Sequence, residues 1–203
     1  MTLPKFYLAS HSPRRQEILQ RVGIDFDIVP RKPVDETIVS HDSPSQFAET
    51  LARLKARNAI LTDDTLDGIV LGFDTIVYID GEILGKPKNE VDAKKYLRKL
   101  SGKWHTVHTG VAAIRISSGE IKSSCETTEV LFSNLTDDEI DAYILSNEPM
   151  DKAGAYGIQE FGALLVEKID GCFYNVVGLP LLCLTKVLKM LNIDRIEFLR
   201  RKF

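Results

Sequence analysis

The sequence predicts an α/β fold: a mixed sheet flanked by helices and wrapped around a cleft. Three observations predict it. Short apolar runs alternate with amphipathic stretches through the first half of the chain. The middle carries the hairpin signals "IDGE" and "ISSGE", which add antiparallel pairs to that alternation. Glycines punctuate the next stretch, and the chain then ends on an amphipathic helix.

"KFYLAS" is an apolar run ending in small residues, and it predicts a strand. Ser12 then reads as an N-cap with Pro13 as the first helical residue. Ile18, Leu19 and Val22 form one face of that helix, and Gly23 stops it. "DFDIV" predicts a second strand, and "RKPVDETIVSHD" a loop or hinge. Ser43-Pro44-Ser45-Gln46 reads as a capping box opening a helix to about Leu61, with Phe47, Leu51, Leu54 and Asn58 on one face. "GIVLGFDTIVYI" is a strongly apolar strand or strand pair, turned by Asp80-Gly81. Asn89 to Leu100 is a basic amphipathic helix. "KWHTVHTGVAAIRI" and "EIKSSCETTEVLF" are long strands around Ser117-Ser118-Gly119. Thr136 and Glu139 form a second capping box, and the last helix runs from Pro180 to about Asn192.

With 203 residues, 44% of them apolar, the chain suits a single domain of 1–203, in one body or in two lobes around a cleft. A net charge of −3 supplies no basic field for nucleic acid. It still allows a small anion to bind where cations gather. Cys125, Cys172 and Cys183 are an odd set without CxxC spacing, which favours reduced thiols in the cytoplasm over disulfides or a zinc knuckle. Pro4, Lys5, Arg14 and Arg15 interrupt any apolar run of the signal-peptide kind, and no stretch approaches the roughly 18 apolar residues of a membrane span.

Candidate chemistry starts at "SHSPRR". Arg14 and Arg15 fall in the first turn of a helix, where the macrodipole already points its positive end. An anion docked there removes the conflict, held by free N–H groups, the Ser10 and Ser12 hydroxyls and the arginines. The ordinary alternative is a solvated arginine pair. There is no GxxxxGK[ST], so this is not a Walker motif. Asp74 sits inside an apolar strand, where an unpaired carboxylate costs several kcal/mol or titrates away. It therefore ends a strand in a solvated cleft, meets a cation, or simply makes a turn with Thr75. Lys55 lies at the border of an apolar stripe, as a snorkelling lysine or as a cation aimed inward. Lys86, held between Gly85 and Pro87 in a rigid, exposed loop, is a solvated lysine or an ammonium pointed in a fixed direction. Asp35 and Glu36 are turn residues or ligands for a hard cation such as Mg²⁺. His105 and His108 face opposite sides of a strand, which is poor geometry for one metal.

The blocks "LASHSPRRQEIL", "VDET", "LARLKA", "DTIVYIDGEILGKP", "LSGKWHTVHTGV", "DKAGAYGIQEFG" and "NVVGLPL" follow one another in this order. Together they resemble the Maf family of nucleoside triphosphate pyrophosphatases, once described as septum-formation proteins, over nearly the whole chain. The resemblance implies an elongated mixed sheet similar to that of inosine triphosphate pyrophosphatases. It implies hydrolysis of a nucleoside triphosphate to the monophosphate and pyrophosphate with a divalent metal (Mg²⁺, Mn²⁺ or Co²⁺), and a homodimer. It assigns Ser10, Arg15, Lys55 and Lys86 to the phosphates, Glu36 and Asp74 to the metal, and Asp74 to proton acceptance. Catalysis is carried by Asp74, Glu36, Lys55 and Lys86 on this reading. Arg14, Thr75 and Gln159 resemble the base-selecting set of the branch preferring dTTP and UTP. The sister branch, which prefers 7-methyl-GTP, carries an aromatic, a Gln and a Glu instead. A Gln amide both donates and accepts, which matches the edge of uracil or thymine. Two residues depart from the family pattern, Glu160 after Gln159 and Phe73 before Asp74. The alternatives to this branch are a 7-methyl-GTP pyrophosphatase and a non-catalytic nucleotide-binding regulator of cell division.

Overall fold

Strand β1 (Phe6–Leu8) is buried along its length and pairs in parallel with both β2 (Asp27–Ile28) and β3 (Ile69–Ile79). The computed structural model describes residues 3–35, 42–60 and 66–200. After β3 come β4 (Glu82–Leu84), β5 (Trp104–Arg115), β6 (Glu120–Phe132) and β7 (Val166–Asp170). The strand order is β2-β1-β3-β5-β6-β7, with β4 also on β3. The β3–β4 pair is antiparallel, as the signal at Asp80-Gly81 predicts, and so is β6–β7, so with the parallel pairs of β1 the seven-stranded sheet is mixed. The helices are α1 (Pro13–Arg21), α2 (Pro44–Ile60), α3 (Glu90–Leu100), α4 (Asp137–Leu145), α5 (Phe173–Val177), α6 (Leu181–Met190) and α7 (Ile196–Leu199).

The chain divides into two compact units. The first takes Met1–Asp74, Thr109–Glu126 and Gly178–Phe203; the second takes Thr75–His108 and Thr127–Val177. Strands β3, β5 and β6 each run through both.

In the first unit, α2 buries Ala48, Ala52, Ala56 and Ala59 as well as Phe47 and Leu51. The expected stripe through Leu54 and Asn58 is thus corrected toward alanines. Alanine lets a helix backbone approach a sheet closely, and the sheet meets it with glycines. A Cβ on Gly72 would collide with the Ala52 carbonyl, and one on Gly110 with the Ala48 carbonyl. Asn58 instead donates from Nδ2 to the carbonyls of Lys32 (3.3 Å) and Pro33 (3.2 Å), tying down the chain that leads toward Asp35. Both proposed caps at this end are looser than the sequence predicts. Ser12 has extended N-cap geometry but makes no side-chain cap bond. Ser43 accepts from Gln46 N at 3.2 Å, while the Gln46 side chain accepts from Asp42 N at 3.1 Å rather than from Ser43, so the box is not reciprocal.

In the second unit, the hairpin turn has φ values of 50° at Asp80 and 83° at Gly81, the left-handed pair a tight two-residue turn needs. Asn89 caps α3 by accepting from Asp92 N. Thr136 and Glu139 make the reciprocal capping box of α4. The core holds Leu97, Leu100, Val107, Phe132, Ile140 and Tyr156. His105 joins it: its ring stands edge-on to Phe132 and Tyr156, with centroids at 5.2 and 5.4 Å, and its Nε2 shares a hydrogen bond with Tyr156 Oη at 2.8 Å. His108 bonds Thr127 Oγ1 through Nδ1 and Thr106 Oγ1 through Nε2. Both histidines are core residues, His108 bonded at both ring nitrogens and His105 through Nε2.

Candidate active site

In the first unit the site grows from the end of β1. Chain polarity brings the backbone past Leu8 into Ala9 and Ser10, and Ser10 is 6% exposed. Its Oγ accepts from Ser12 N at 3.3 Å and from Arg15 Nη1 at 3.2 Å. The turn that opens α1 and the third residue of that helix thus converge on one hydroxyl. The first turn of α1 contains no acidic residue, so nothing in it offsets the dipole or the two arginines.

Arg15 is fixed on several sides. Its Nε donates to the Gly178 carbonyl at 2.8 Å, and its guanidinium lies over the fully buried Phe73 ring, 5.6 Å from the centroid. Phe73, a departure from the family pattern, is therefore a shelf for Arg15. Burial is the main force lowering the Arg15 pKa, to about 10; Asp74 opposes it, and Arg14 and Arg31 add to it. The guanidinium stays charged at neutral pH, destabilised by lost hydration and by its cationic neighbours. An anion relieves both.

Asp74 and Lys55 meet by a similar economy. Gly72 and Asp74 share one face of β3, because strand side chains alternate. At Gly72 the backbone of α2 presses against the strand around Ala52 and Ala56. Lys55, on the same helix, is thereby delivered to Asp74, and its ammonium donates to Oδ1. The two side chains are 13% and 9% exposed. Ser10, Arg15, Lys55 and Asp74 thus form one set in the first unit, with Arg14 adjoining it through its charge on Arg15. Glu36 lies outside the described residues.

Thr75, Lys86 and Gln159 belong to the second unit. Lys86 and Gln159 are exposed, and Thr75 is half-buried. Their segments meet around Gly154. The Gly154 N–H donates to the Gly85 carbonyl at 3.0 Å, directly before Lys86. A Cβ on Gly154 would press on Val77, which lies on the same strand face as Thr75. Gly154 has φ +71° and Ala155 +60°, two successive left-handed residues that turn the chain toward Gln159.

Among the described residues, no group of three or more His, Cys, Asp or Glu side chains is gathered to hold a metal by itself. The donor set nonetheless suits a hard cation. Asp74 is a buried carboxylate that the fold already stabilises with positive charge, and Mg²⁺ is bound through one or two carboxylates plus phosphate oxygens and water. Cysteine chemistry is disfavoured: burial pushes the Cys125 thiol up to about 12 and raises that of Cys183 as well. Among the described residues no helix is long and apolar enough to cross a membrane.

Sequence reasoning missed Glu148 and Tyr143, which are buried in the second unit beside the loop of Gln159. A Glu between Asn147 and Pro149 carries no signal that separates it from a solvated turn residue.

A family model described as Maf-like protein matches residues 5–191. A dTTP/UTP pyrophosphatase of Bacillus cereus (strain ATCC 10987 / NRS 248) is 50% identical over 192 residues, covering 95% of this chain and 92% of that relative. A dTTP/UTP pyrophosphatase of Caldicellulosiruptor saccharolyticus (strain ATCC 43494 / DSM 8903 / Tp8T 6331) is 48% identical over 194 residues, covering 95% and 97%. Among solved structures, a HAM1 protein from Coxiella burnetii aligns over 87% of this chain and 95% of its own, at 14% identity and a TM-score of 0.48. A family match that spans nearly the whole chain, and relatives at half identity over the same span, make this protein a member of the Maf-like family.

Proposed function

We propose that this chain hydrolyses dTTP and UTP to the nucleoside monophosphate and pyrophosphate. The observation that carries the proposal is the set Ser10, Arg15, Lys55 and Asp74, in which a buried hydroxyl and two half-buried cations stand with one buried carboxylate. Relatives bearing the dTTP/UTP pyrophosphatase name at about half identity supply the base class.

Ser10 and Arg15 hold phosphate oxygens at the N-terminus of α1, where backbone N–H groups and the helix dipole add to them. Lys55 and Lys86 supply further cations. Asp74 accepts a proton from the water that attacks the α-phosphorus. The bond from that phosphorus to the bridging oxygen breaks, and the cations stabilise the departing pyrophosphate. A divalent metal held by Asp74 and Glu36 would withdraw charge from the phosphate oxygens. The motifs assign Arg14, Thr75 and Gln159 to base selection, in which a Gln amide can both donate to and accept from the uracil or thymine edge. The roles of Glu36, Lys86, Thr75 and Gln159 rest on the motifs that carry them. On the same resemblance the chain is assigned as a homodimer, which light scattering tests, and its odd cysteine set without CxxC spacing supports a cytoplasmic setting.

The test compares pyrophosphate release from UTP, dTTP and 7-methyl-GTP with Mg²⁺, Mn²⁺ and Co²⁺. Faster turnover of UTP and dTTP is expected. Faster turnover of 7-methyl-GTP would reverse the base assignment, and orthophosphate as the product would overturn cleavage between the α- and β-phosphates.

A further inference from the structure

Gln159 is carried by the segment Gly157 to Gly162, and that segment closes on a buried post. Glu148 is 8% exposed. Its Oε2 accepts from Phe161 N at 2.9 Å, and its Oε1 accepts from Gly162 N at 3.4 Å and from Tyr143 Oη at 3.0 Å. The same Tyr143 oxygen accepts from Gly157 N at 3.1 Å. One carboxylate and one phenol thus take the N–H groups at both ends of the six-residue segment. Gly162 completes the closure, because a Cβ there would collide with the Gly157 carbonyl and come within 2.6 Å of Tyr143 Oη. Inside the ring Ile158 is buried, while Gln159 and Glu160 are exposed.

We infer that Glu148 and Tyr143 are positioning residues for base selection: they fix the backbone on either side of Gln159 and so set the place from which its amide reaches the pyrimidine edge. The inference rests on the reading of Gln159 as a base contact. A side-chain amide can turn over and exchange its donor for its acceptor. That turn is about the last bond of the side chain itself; what the backbone sets is how far the amide reaches, and an amide out of reach reads neither the uracil nor the cytosine edge. Neither Glu148 nor Tyr143 needs to touch the nucleotide. Burial raises the Tyr143 pKa further above its ordinary value, so the phenol keeps its proton and remains a donor to Glu148. Glu148 is itself locked from behind: Lys152 Nζ donates to its carbonyl at 2.6 Å, and its N–H donates to Ser146 Oγ at 3.2 Å.

Glu148→Gln is the direct test, because it turns one acceptor oxygen into a donor that faces a backbone N–H. Tyr143→Phe is the milder companion, keeping the ring and removing only the bridging oxygen. In both, amide exchange at Gly157, Phe161 and Gly162 is expected to accelerate at least about tenfold. The ratio of kcat/KM for UTP over CTP is expected to fall about tenfold. Inhibition by tripolyphosphate, which lacks a base, is expected to stay within about twofold. Gln159→Ala should lower the same ratio, and adding Glu148→Gln to it should lower the ratio no further, as for residues acting through one another. If Gln159→Ala lowers the ratio while Glu148→Gln and Tyr143→Phe leave it unchanged, the bracing role is wrong and the reading of Gln159 stands. If Gln159→Ala itself leaves the ratio unchanged, the base contact is wrong and the inference falls with it.

Discussion

Asp74 in one unit and Glu148 in the other are carboxylates of nearly equal burial, 7% and 8% exposed, and the fold compensates them by different means. Asp74 is met by a lysine ammonium at the end of a flexible side chain. Glu148 is met by two backbone N–H groups and a buried phenol. A lysine can turn from one anion to another at the cost of a few rotamers. Backbone donors cannot move without unmaking the loop that presents them. The first arrangement leaves a carboxylate able to exchange partners with a ligand, and the second uses all of its acceptor strength to hold shape. Burial alone would have ranked the two as equals; the mobility of the partner separates chemistry from architecture.

The sharpest way to break that comparison is to neutralise each carboxylate. Asp74→Asn is expected to lower turnover of UTP by roughly 10²–10⁴-fold while nucleotide binding persists, if proton acceptance is its main task. Single-turnover rates and equilibrium binding of UTP check this, and near-normal turnover would remove Asp74 from that role. Glu148→Ala is expected to act chiefly on stability. It leaves two N–H groups and a hydroxyl without their acceptor, at about 1 kcal/mol or more each, so about 3 kcal/mol in all. Urea denaturation measures it. An Asp74→Asn protein that lost as much stability as Glu148→Ala, with its turnover intact, would invert the comparison.

A smaller effect comes from a group held uncharged by the second unit. Burial lowers the His105 pKa from 6.5 to about 4, partly opposed by the backbone at Lys103. The sign follows from where the proton binds. Above about pH 6.5 both folded and unfolded chains carry a neutral imidazole, and the stabilising contribution is complete. Between about 6.5 and 4 the unfolded chain takes up a proton that the folded one refuses, so stability falls with pH. At pH 5 the loss attributable to His105 is about 2 kcal/mol. Urea titrations at pH 7 and 5 on the wild type and on His105→Gln separate this group from the carboxylates. The imidazole C–H resonances of the native protein should stay at their neutral positions down to pH 5. A midpoint near 6.5 would contradict the assignment.

The sequence makes much of this legible, and the misses have a common cause. Asp74 stands out because a charge inside "VLGFDTIV" is a physical contradiction that only a partner resolves. The hairpin at Asp80-Gly81 and the box at Thr136 are local, and local rules find them. The contact of α2 is not local. Beyond Phe47 and Leu51 its stripe is made of alanines, which carry little hydropathy signal, and its meaning appears only against Gly72 and Gly110, both distant in sequence. Glu148 is harder still. In "SNEPMDK" most neighbours suggest a solvated turn, and the donors that hold it come from Tyr143, Phe161 and Gly162. Phe73 was visible as a departure, but its use was not, because the guanidinium over it belongs to α1.

The mildest test asks whether Arg15 belongs with the movable partners or with the fixed ones. Its charge is what a phosphate needs, and a lysine would supply that. Its shape is what the fold holds: Nε on the Gly178 carbonyl, Nη1 on Ser10, and the guanidinium plane over Phe73. A lysine can reproduce none of these three together, since it is a point charge on a flexible stem. If Arg15 acts as a pre-set fork, Arg15→Lys should raise KM for UTP about tenfold, equivalent to about 1.4 kcal/mol, with a smaller change in kcat. Tripolyphosphate inhibition should weaken in parallel, because the lost contact is to phosphate, and the UTP over CTP ratio should hold. An unchanged KM would mean that charge alone suffices at this position. Arg15 would then stand with Lys55 as an exchangeable partner, and the contacts to Gly178 and Phe73 would count toward packing rather than substrate binding.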